Sequence, residues 1–258
     1  MRDAPWWAPP ALALQFLTRI PVPATARLDA EVVRRALSGA AGWFPLVGTL
    51  VGVVTATVIL LAQGLWPRLV AVLIALIVEA RLTGAFHEDA VADFCDAFGG
   101  GRDAEGVRRI MKDSRIGSYG ALGLLLAVGL RAALLLSLPA TIAWAATVAS
   151  ATFGRLVAVA LMAIVAPAPA GTGLAKDVGA GIGAGQLLLG LAAALPGLAW
   201  FGWLAPMALA GAVLAALPAL WWFRGLLVRR IGGSTGDCLG FAAYAGQIGL
   251  LLAATAIA

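Results

Sequence analysis

The stretch Arg68–Phe98, RLVAVLIALIVEARLTGAFHEDAVADFCDAF, decides how this chain is to be read. Residues 68–86 are a nearly unbroken apolar run, whereas residues 87–96 hold the only histidine and four of the thirteen acids. An apolar run of about 20 residues matches the hydrocarbon thickness of a bilayer when helical. The whole chain agrees with that reading. Of its 258 residues 62% are hydrophobic and 12% charged, and the mean hydropathy is +0.95, whereas soluble domains carry about 25% charged residues. Short alternating segments, the mark of a membrane β-barrel, are missing from the sequence. The expectation is an all-α, polytopic membrane helical bundle.

Seven spans fit, at about 39–63, 67–86, 118–138, 140–166, 181–203, 205–223 and 237–257. The loops between them alternate in charge. One set, near residues 64–67, 138 and 202–206, is short and apolar, with Arg68 its one basic residue. The other set carries Arg19, Arg27, Arg34 and Arg35, then Arg102, Arg108, Arg109, Lys112 and Arg115, then Lys176, and then Arg224, Arg229 and Arg230. Basic loops stay cytoplasmic, which predicts a cytoplasmic N-terminus, an outside C-terminus and an active site on the cytoplasmic side. The same topology accounts for the net charge of +5 without nucleic acid. Residues 1–258 read as one integral membrane domain, with 1–38 an interfacial N-terminal segment and 87–117 a cytoplasmic catalytic region. The N-terminus is not a signal peptide, since prolines interrupt it and no long apolar core follows. Cys95 and Cys238 form neither a disulfide framework nor a zinc spacing. The glycine-rich segment 172–186 lacks a phosphate-loop ending and reads as a flexible loop.

If the second span continues as a helix beyond the membrane surface, Asp89, Asp93 and Asp96 fall within about 60° of one another, with Glu88 to the side and His87 nearly opposite. Three carboxylates on one face repel, and a divalent cation relieves the conflict. Oxygen-only ligands suit Mg²⁺, with Mn²⁺ a substitute, and magnesium commonly binds substrate phosphates as well. The bases that follow, Arg108, Arg109, Lys112 and Arg115, can hold phosphate oxygens. The blander readings are a solvated helix continuation for the acids and topology alone for the bases. Acids suited to a metal beside bases suited to phosphate favour function. Farther on, Gly232, Gly233 and Gly236 let backbone approach a ligand, and Asp237 is either a helix N-terminal acid or a further metal ligand. Glu79, Arg81, Arg131 and Arg155 lie within or at the ends of spans, where an unpaired charge at mid-bilayer costs about 2.5–3.5 kcal/mol. Arg155 is the better candidate for substrate contact. His87 is either structural or an acid–base or phosphate-binding group.

The segments LQFLTRIPVP (14–23), WFPLVGTLVG (43–52), LTGAFHEDAVADFCDAF (82–98), IMKDSRIGSYG (110–120) and GGSTGDCLG (232–240) occur in the order found in the cobalamin synthase family, which the chain resembles over most of its length. The resemblance implies an adenosylcobinamide-GDP ribazoletransferase. In that reaction a hydroxyl of α-ribazole, or of its 5′-phosphate, attacks the cobinamide-side phosphorus of adenosylcobinamide-GDP, and GMP leaves. It implies a bacterial inner-membrane enzyme, with a homo-oligomer and association with other cobalamin-pathway enzymes as further expectations. Chemistry then distributes the roles. Asp89, Asp93 and Asp96, with Glu88 and Asp237, would hold Mg²⁺ on the diphosphate. Lys112 and Arg115, within the Lys112-Asp113-Ser114-Arg115 motif, would hold the leaving phosphate, and Asp113 or His87 would position or deprotonate the hydroxyl. Arg108, Arg109, Ser114, Arg155, Gly233 and Gly236 are the substrate-binding candidates. The chain departs from the family pattern at Ala90, usually glycine, and at Tyr244 and Gln247, usually glutamates. An arginine usual in the loop at 166–177 is missing. The Asp-Gly-x-x-Ala-Arg string of CDP-alcohol phosphotransferases is absent, as is a second aspartate-rich motif of the prenyltransferase kind. An ion-coupled transporter would place acids near mid-bilayer in matching halves, which this sequence does not have.

Overall fold

The computed structural model describes residues 4–169 and 182–257. Among these residues the secondary structure is helical: α1 (Ala8–Leu17), α2 (Ala30–Ala40), α3 (Phe44–Ala62), α4 (Arg68–Thr83), α5 (Phe86–Gly100), α6 (Ala104–Met111), α7 (Ser118–Ser137), α8 (Ala140–Ile164), α9 (Ala184–Leu204), α10 (Pro206–Ile231) and α11 (Gly236–Ile257), with 3₁₀ turns at Pro23–Arg27 and Ala41–Trp43. The loop expected at 172–186 lies mostly outside the described residues.

Six helical stretches are long and apolar enough to cross a membrane, namely Ala30–Ala62, α7, α8, α9, α10 and Gly236–Ala256, and α4 with α5 makes the seventh as a bent pair. Six of the seven expected spans are recovered, and the one expected at 67–86 is the shorter helix α4, which reaches span length only when counted with α5. Large apolar side chains such as Leu61, Ile77, Leu125, Leu188, Leu214 and Trp221 point outward, as they must where lipid replaces water.

At the centre is α8, most of whose side chains are buried. It is rich in alanine, so its neighbours come close. On α3, a methyl added at Gly48 would lie 2.5 Å from the Ala151 carbonyl oxygen, and one at Gly52 would lie 2.7 Å from Val148 Cα. This is the small-residue packing read from Gly48-x-x-x-Gly52. Thr49 and Thr152 add a hydroxyl pair at 3.0 Å. The expected interfacial segment 1–38 is helical in part, and α1 buries Ala8, Leu12, Ala13 and Leu17 against the bundle.

One expectation fails. The second span does not run straight on into the acidic segment. Helix α4 stops at Gly84, left-handed at φ +73°, followed by Ala85 at φ +56°, and α5 leaves at 89° to it. Gly84 also sits beneath Arg19, whose Nε a Cβ would approach to 2.5 Å. Arg19 in turn donates its backbone N–H to the Leu82 carbonyl at 2.7 Å. The N-terminal segment thus clamps the break. The result is an acidic helix set across the bundle and packed on α7 and α11.

Candidate functional site

Helix α5 has three faces with different fates. Its apolar face carries Phe94, which stacks on Phe98 at 4.3 Å and on Phe241 of α11 at 4.0 Å. Ala90 rests against Gly240, where any Cβ would overlap its methyl. The usual glycine of the family can therefore be alanine here, because Gly240 supplies the missing space.

The second face carries Asp89, exposed, and Asp93, half-buried. Asp93 lies within electrostatic reach of Asp89, Asp96 and Asp237. Asp237 opens α11, the partner of α5, and lies within reach of Asp89. Sequence positions 89, 93 and 237 are thus brought together by α5–α11 packing. Among the described residues no three such groups converge at metal-ligand distance. An all-oxygen set of two or three neighbouring carboxylates fits a magnesium that arrives with substrate phosphates, since that ion uses one or two carboxylates and keeps its remaining positions for water and phosphate.

Asp96 departs from its expected place among the metal ligands. Its Oδ2 accepts the Gly117 N–H at 2.6 Å and its Oδ1 the Gly120 N–H at 2.8 Å. It therefore anchors the N-terminus of α7, where backbone donors are unpaired and the dipole favours negative charge. This explains the glycines of the Gly117-Ser118-Tyr119-Gly120 run. A methyl at Gly117 would lie 2.5 Å from Asp96 Oδ1, and one at Gly120 would run into the same carboxylate and lie 2.8 Å from the Ala92 carbonyl oxygen. Gly120→Ala is expected to destabilise the protein by about 1–3 kcal/mol through this overlap, measurable as a lower midpoint of unfolding in detergent.

The third face is buried. His87 points away from Asp89 into the bundle, where its Nδ1 lies 3.4 Å from Arg155 Nη2. Glu88 turns toward Arg131, whose Nη1 is 3.9 Å away. Arg131 itself donates to both carboxylate oxygens of Glu79, at 2.8 and 2.7 Å, and lies over the Tyr244 ring at 5.5 Å. Thr55 donates to Glu79 at 2.7 Å. Tyr244, buried, thus stands within a charged network inside the bundle, and Gln247, also buried, borders Gly154 of α8. Sequence reading flagged Glu79 and Arg131 singly but not as a pair.

The basic group collects at the end of α6. Asp103 caps that helix by accepting the Gly106 N–H at 2.7 Å. Arg108 is half-buried and Arg109 exposed in its last turn, with Lys112 exposed just after it. No acid lies within 4 Å of these three among the described residues. Thr235 Oγ1 donates to Met111 Sδ at 3.0 Å, which ties the end of α6 to the start of α11 and hence to Asp237. Asp113 accepts from Arg115 Nε at 3.0 Å and Nη2 at 2.6 Å. Those hydrogen bonds hold its carboxyl down at about 2, below the ordinary value. The pair therefore stays charged at any pH above that value and opens only as pH falls through it. While held this way Asp113 is a weak proton acceptor. Arg115 and Asp113, with Asp96, Ser118 and Tyr119, line an open cleft of about 450 Å³, within the range of small-molecule sites. Ser114 is exposed beside it.

Gly233 serves the fold. Its absent Cβ would lie 2.6 Å from the Ala166 carbonyl oxygen, because the neighbouring Ser234 pairs with the segment after α8 through Ser234 N–H to Ala166 O and Ala168 N–H to Ser234 O, both 2.9 Å. Gly232 ends α10 at φ +78°. Gly236 borders the cavity beside His87 and Arg155.

The family model of cobalamin-5-phosphate synthase matches residues 10–255. A Shewanella baltica protein (strain OS185) named adenosylcobinamide-GDP ribazoletransferase is 37% identical over 92% of this chain and 89% of its own length. A protein of the same name from Shewanella frigidimarina is 36% identical over 92% and 90%. Another from Shewanella amazonensis is 50% identical over 48% and 46%. No solved structure matches. The match thus runs through α5, α6 and the start of α11, where the acids and bases gather, and the chain belongs to the cobalamin-5-phosphate synthase family.

Proposed function

We propose that this chain transfers the adenosylcobinamide phosphoryl group from adenosylcobinamide-GDP to α-ribazole or its 5′-phosphate, releasing GMP and forming adenosylcobalamin or its 5′-phosphate. The observation that carries this reading is the family match along residues 10–255. The gathering of Asp89, Asp93 and Asp237 beside the bases of α6 supports it. A hydroxyl oxygen of the acceptor bonds to the cobinamide-side phosphorus, the bond from that phosphorus to the bridging oxygen breaks, and GMP leaves with that oxygen. The hydroxyl proton passes to a carboxylate of the Asp89, Asp93 and Asp237 group, since the hydrogen bonds from Arg115 lower the pKa of Asp113 and make it the weaker base. Asp89, Asp93 and Asp237 would hold Mg²⁺, which when bound neutralises phosphate charge. Arg108, Arg109 and Lys112 hold the departing nucleotide's phosphate oxygens, and Arg115 is presented to the cleft by Asp113. The basic loops favour the cytoplasmic side of a bacterial membrane for this end of the bundle.

The test is GMP release by purified protein from adenosylcobinamide-GDP and α-ribazole, with Mg²⁺ or with EDTA. GMP and a new corrinoid, both dependent on Mg²⁺, are expected. Folded protein that makes neither would overturn the proposal, and CDP-alcohols would then be the substrates to try.

A further inference from the structure

Arg68 opens α4 at the end of the bundle away from the acidic helix, and no acid answers it. None lies within 4 Å of it among the described residues. The helix ends around it come from acid-free stretches, since no acid occurs between Glu31 and Glu79, between Asp113 and Asp177 or between Asp177 and Asp237. Glu79 is about 16 Å farther along α4 and is bound to Arg131. Part of the Arg68 guanidinium is used locally. Its Nη2 donates to the Leu135 and Leu138 carbonyls at 3.2 and 2.6 Å, which caps α7 where helix carbonyls lack partners and the dipole is negative. Its Nε has no partner among the described residues. A guanidinium cannot shed its charge, so capping still leaves a half-buried cation without a counter-ion.

Beside it is a cavity of about 520 Å³, lined by Leu60, Gln63, Arg68, Ala143, Trp144 and Trp200 among others. That is within the range of small-molecule sites and many times the roughly 30 Å³ share of one water. Gln63 and Arg68 come from either side of the turn between α3 and α4. Leu60 and Trp200 are 61% and 53% exposed, so the cavity opens sideways, where lipid lies. The Trp144 and Trp200 rings meet at 5.1 Å, and Trp66 and Trp203 are exposed at the same end. Tryptophans gathered in this way mark the headgroup level of a bilayer.

An occupant must therefore join a negative group, for Arg68, to an apolar tail, for Leu60 and the tryptophans. A soluble anion would leave the apolar wall wet, and a bare hydrocarbon would leave Arg68 unanswered. A phospholipid supplies both parts. The lining contains no acid and so offers nothing to a headgroup ammonium, which favours a lipid of net negative charge over a zwitterionic one. We propose that this cavity holds one anionic phospholipid, its phosphodiester on Arg68 and an acyl chain against Trp144 and Trp200. Such a lipid ties together the ends of α3, α4, α7, α8 and α9 that line the cavity, and so stabilises the bundle at the end remote from the acids.

Native mass spectrometry of the full chain in neutral detergent, titrated with phosphatidylglycerol or phosphatidylethanolamine, tests this. One phosphatidylglycerol should bind ahead of all others, at least about tenfold tighter than phosphatidylethanolamine. Arg68→Gln should weaken it at least about tenfold, as loss of a charge-assisted contact requires. Ala143→Leu should weaken it as much by filling the cavity while leaving the cap on α7 in place, which separates a lost site from a lost cap. Arg229→Gln, at the basic end of α10, should leave it unchanged. In thermal unfolding phosphatidylglycerol should raise the midpoint of the native protein and not that of Arg68→Gln or Ala143→Leu. Glycerol 3-phosphate and inorganic phosphate should raise none of them. Unchanged affinity in Arg68→Gln or in Ala143→Leu, loss of the tight lipid in Arg229→Gln, equal binding of the two lipids, or equal protection by glycerol 3-phosphate would each overturn the proposal.

Discussion

Asp93→Asn is expected to abolish GMP release, by about a thousandfold or more, while leaving the protein folded or slightly more stable. The activity loss follows from Asp93 being the carboxylate that faces Asp89, Asp96 and Asp237 together. Taking it away weakens the oxygen cluster for a cation whose charge stabilisation is worth several kcal/mol in phosphoryl transfer. Retained stability follows because Asp93 enters none of the hydrogen bonds or ion pairs that hold α5, which rest on Asp96, Phe94 and the Ala90–Gly240 contact. Removing one of several like charges also relieves repulsion. Circular dichroism melting beside a GMP assay checks both halves. Loss of activity together with loss of fold would mean that Asp93 is structural.

Arg131→Gln is expected to act the other way, destabilising the protein by about 3–5 kcal/mol because it strands the Glu79 carboxylate inside the bundle. Glu79 is 3% exposed and Arg131 1%, so neither end can turn to water. The double variant Glu79→Gln/Arg131→Gln should recover most of that loss, since two neutral amides leave no unpaired charge. Unfolding midpoints in detergent for the two single variants and the double variant give the comparison. A double variant no more stable than Arg131→Gln would show that Glu88, not Glu79, is the acid Arg131 chiefly serves.

Hydropathy made the spans legible, and heptad-scale spacing made the shared face of Asp89 and Asp93 legible. Both depend on residues close in sequence. The break after Thr83 was not legible. The run LTGAF stays apolar across it and contains no proline, and the turn depends on Arg19 lying over Gly84, more than sixty residues away. Asp96 fell on the expected face, yet its partners are the backbone N–H groups of Gly117 and Gly120, and a helical wheel shows no backbone donors from another helix. The same distance hid the pairing of Glu79 with Arg131, which needs the relative rotation of α4 and α7. Gly233 looked free for a ligand because its real neighbours, Ala166 and Ala168, come from before the preceding pair of helices. The Gly48 and Gly52 packing, by contrast, was readable, since any neighbouring helix profits from the same gap.

The position of Asp237 has a consequence for biogenesis. Asp89 and Asp93 are made early, but the helix that presents Asp237, and whose Gly240 and Phe241 seat α5, is the last one described. A nascent chain emerges at about 5–20 residues per second and domains form as their parts arrive. The apolar face of α5 therefore stays uncovered on that side until α11 inserts. The three acids come together only once α11 has been made, and a chain that stalls before α11 leaves Asp89 and Asp93 without Asp237.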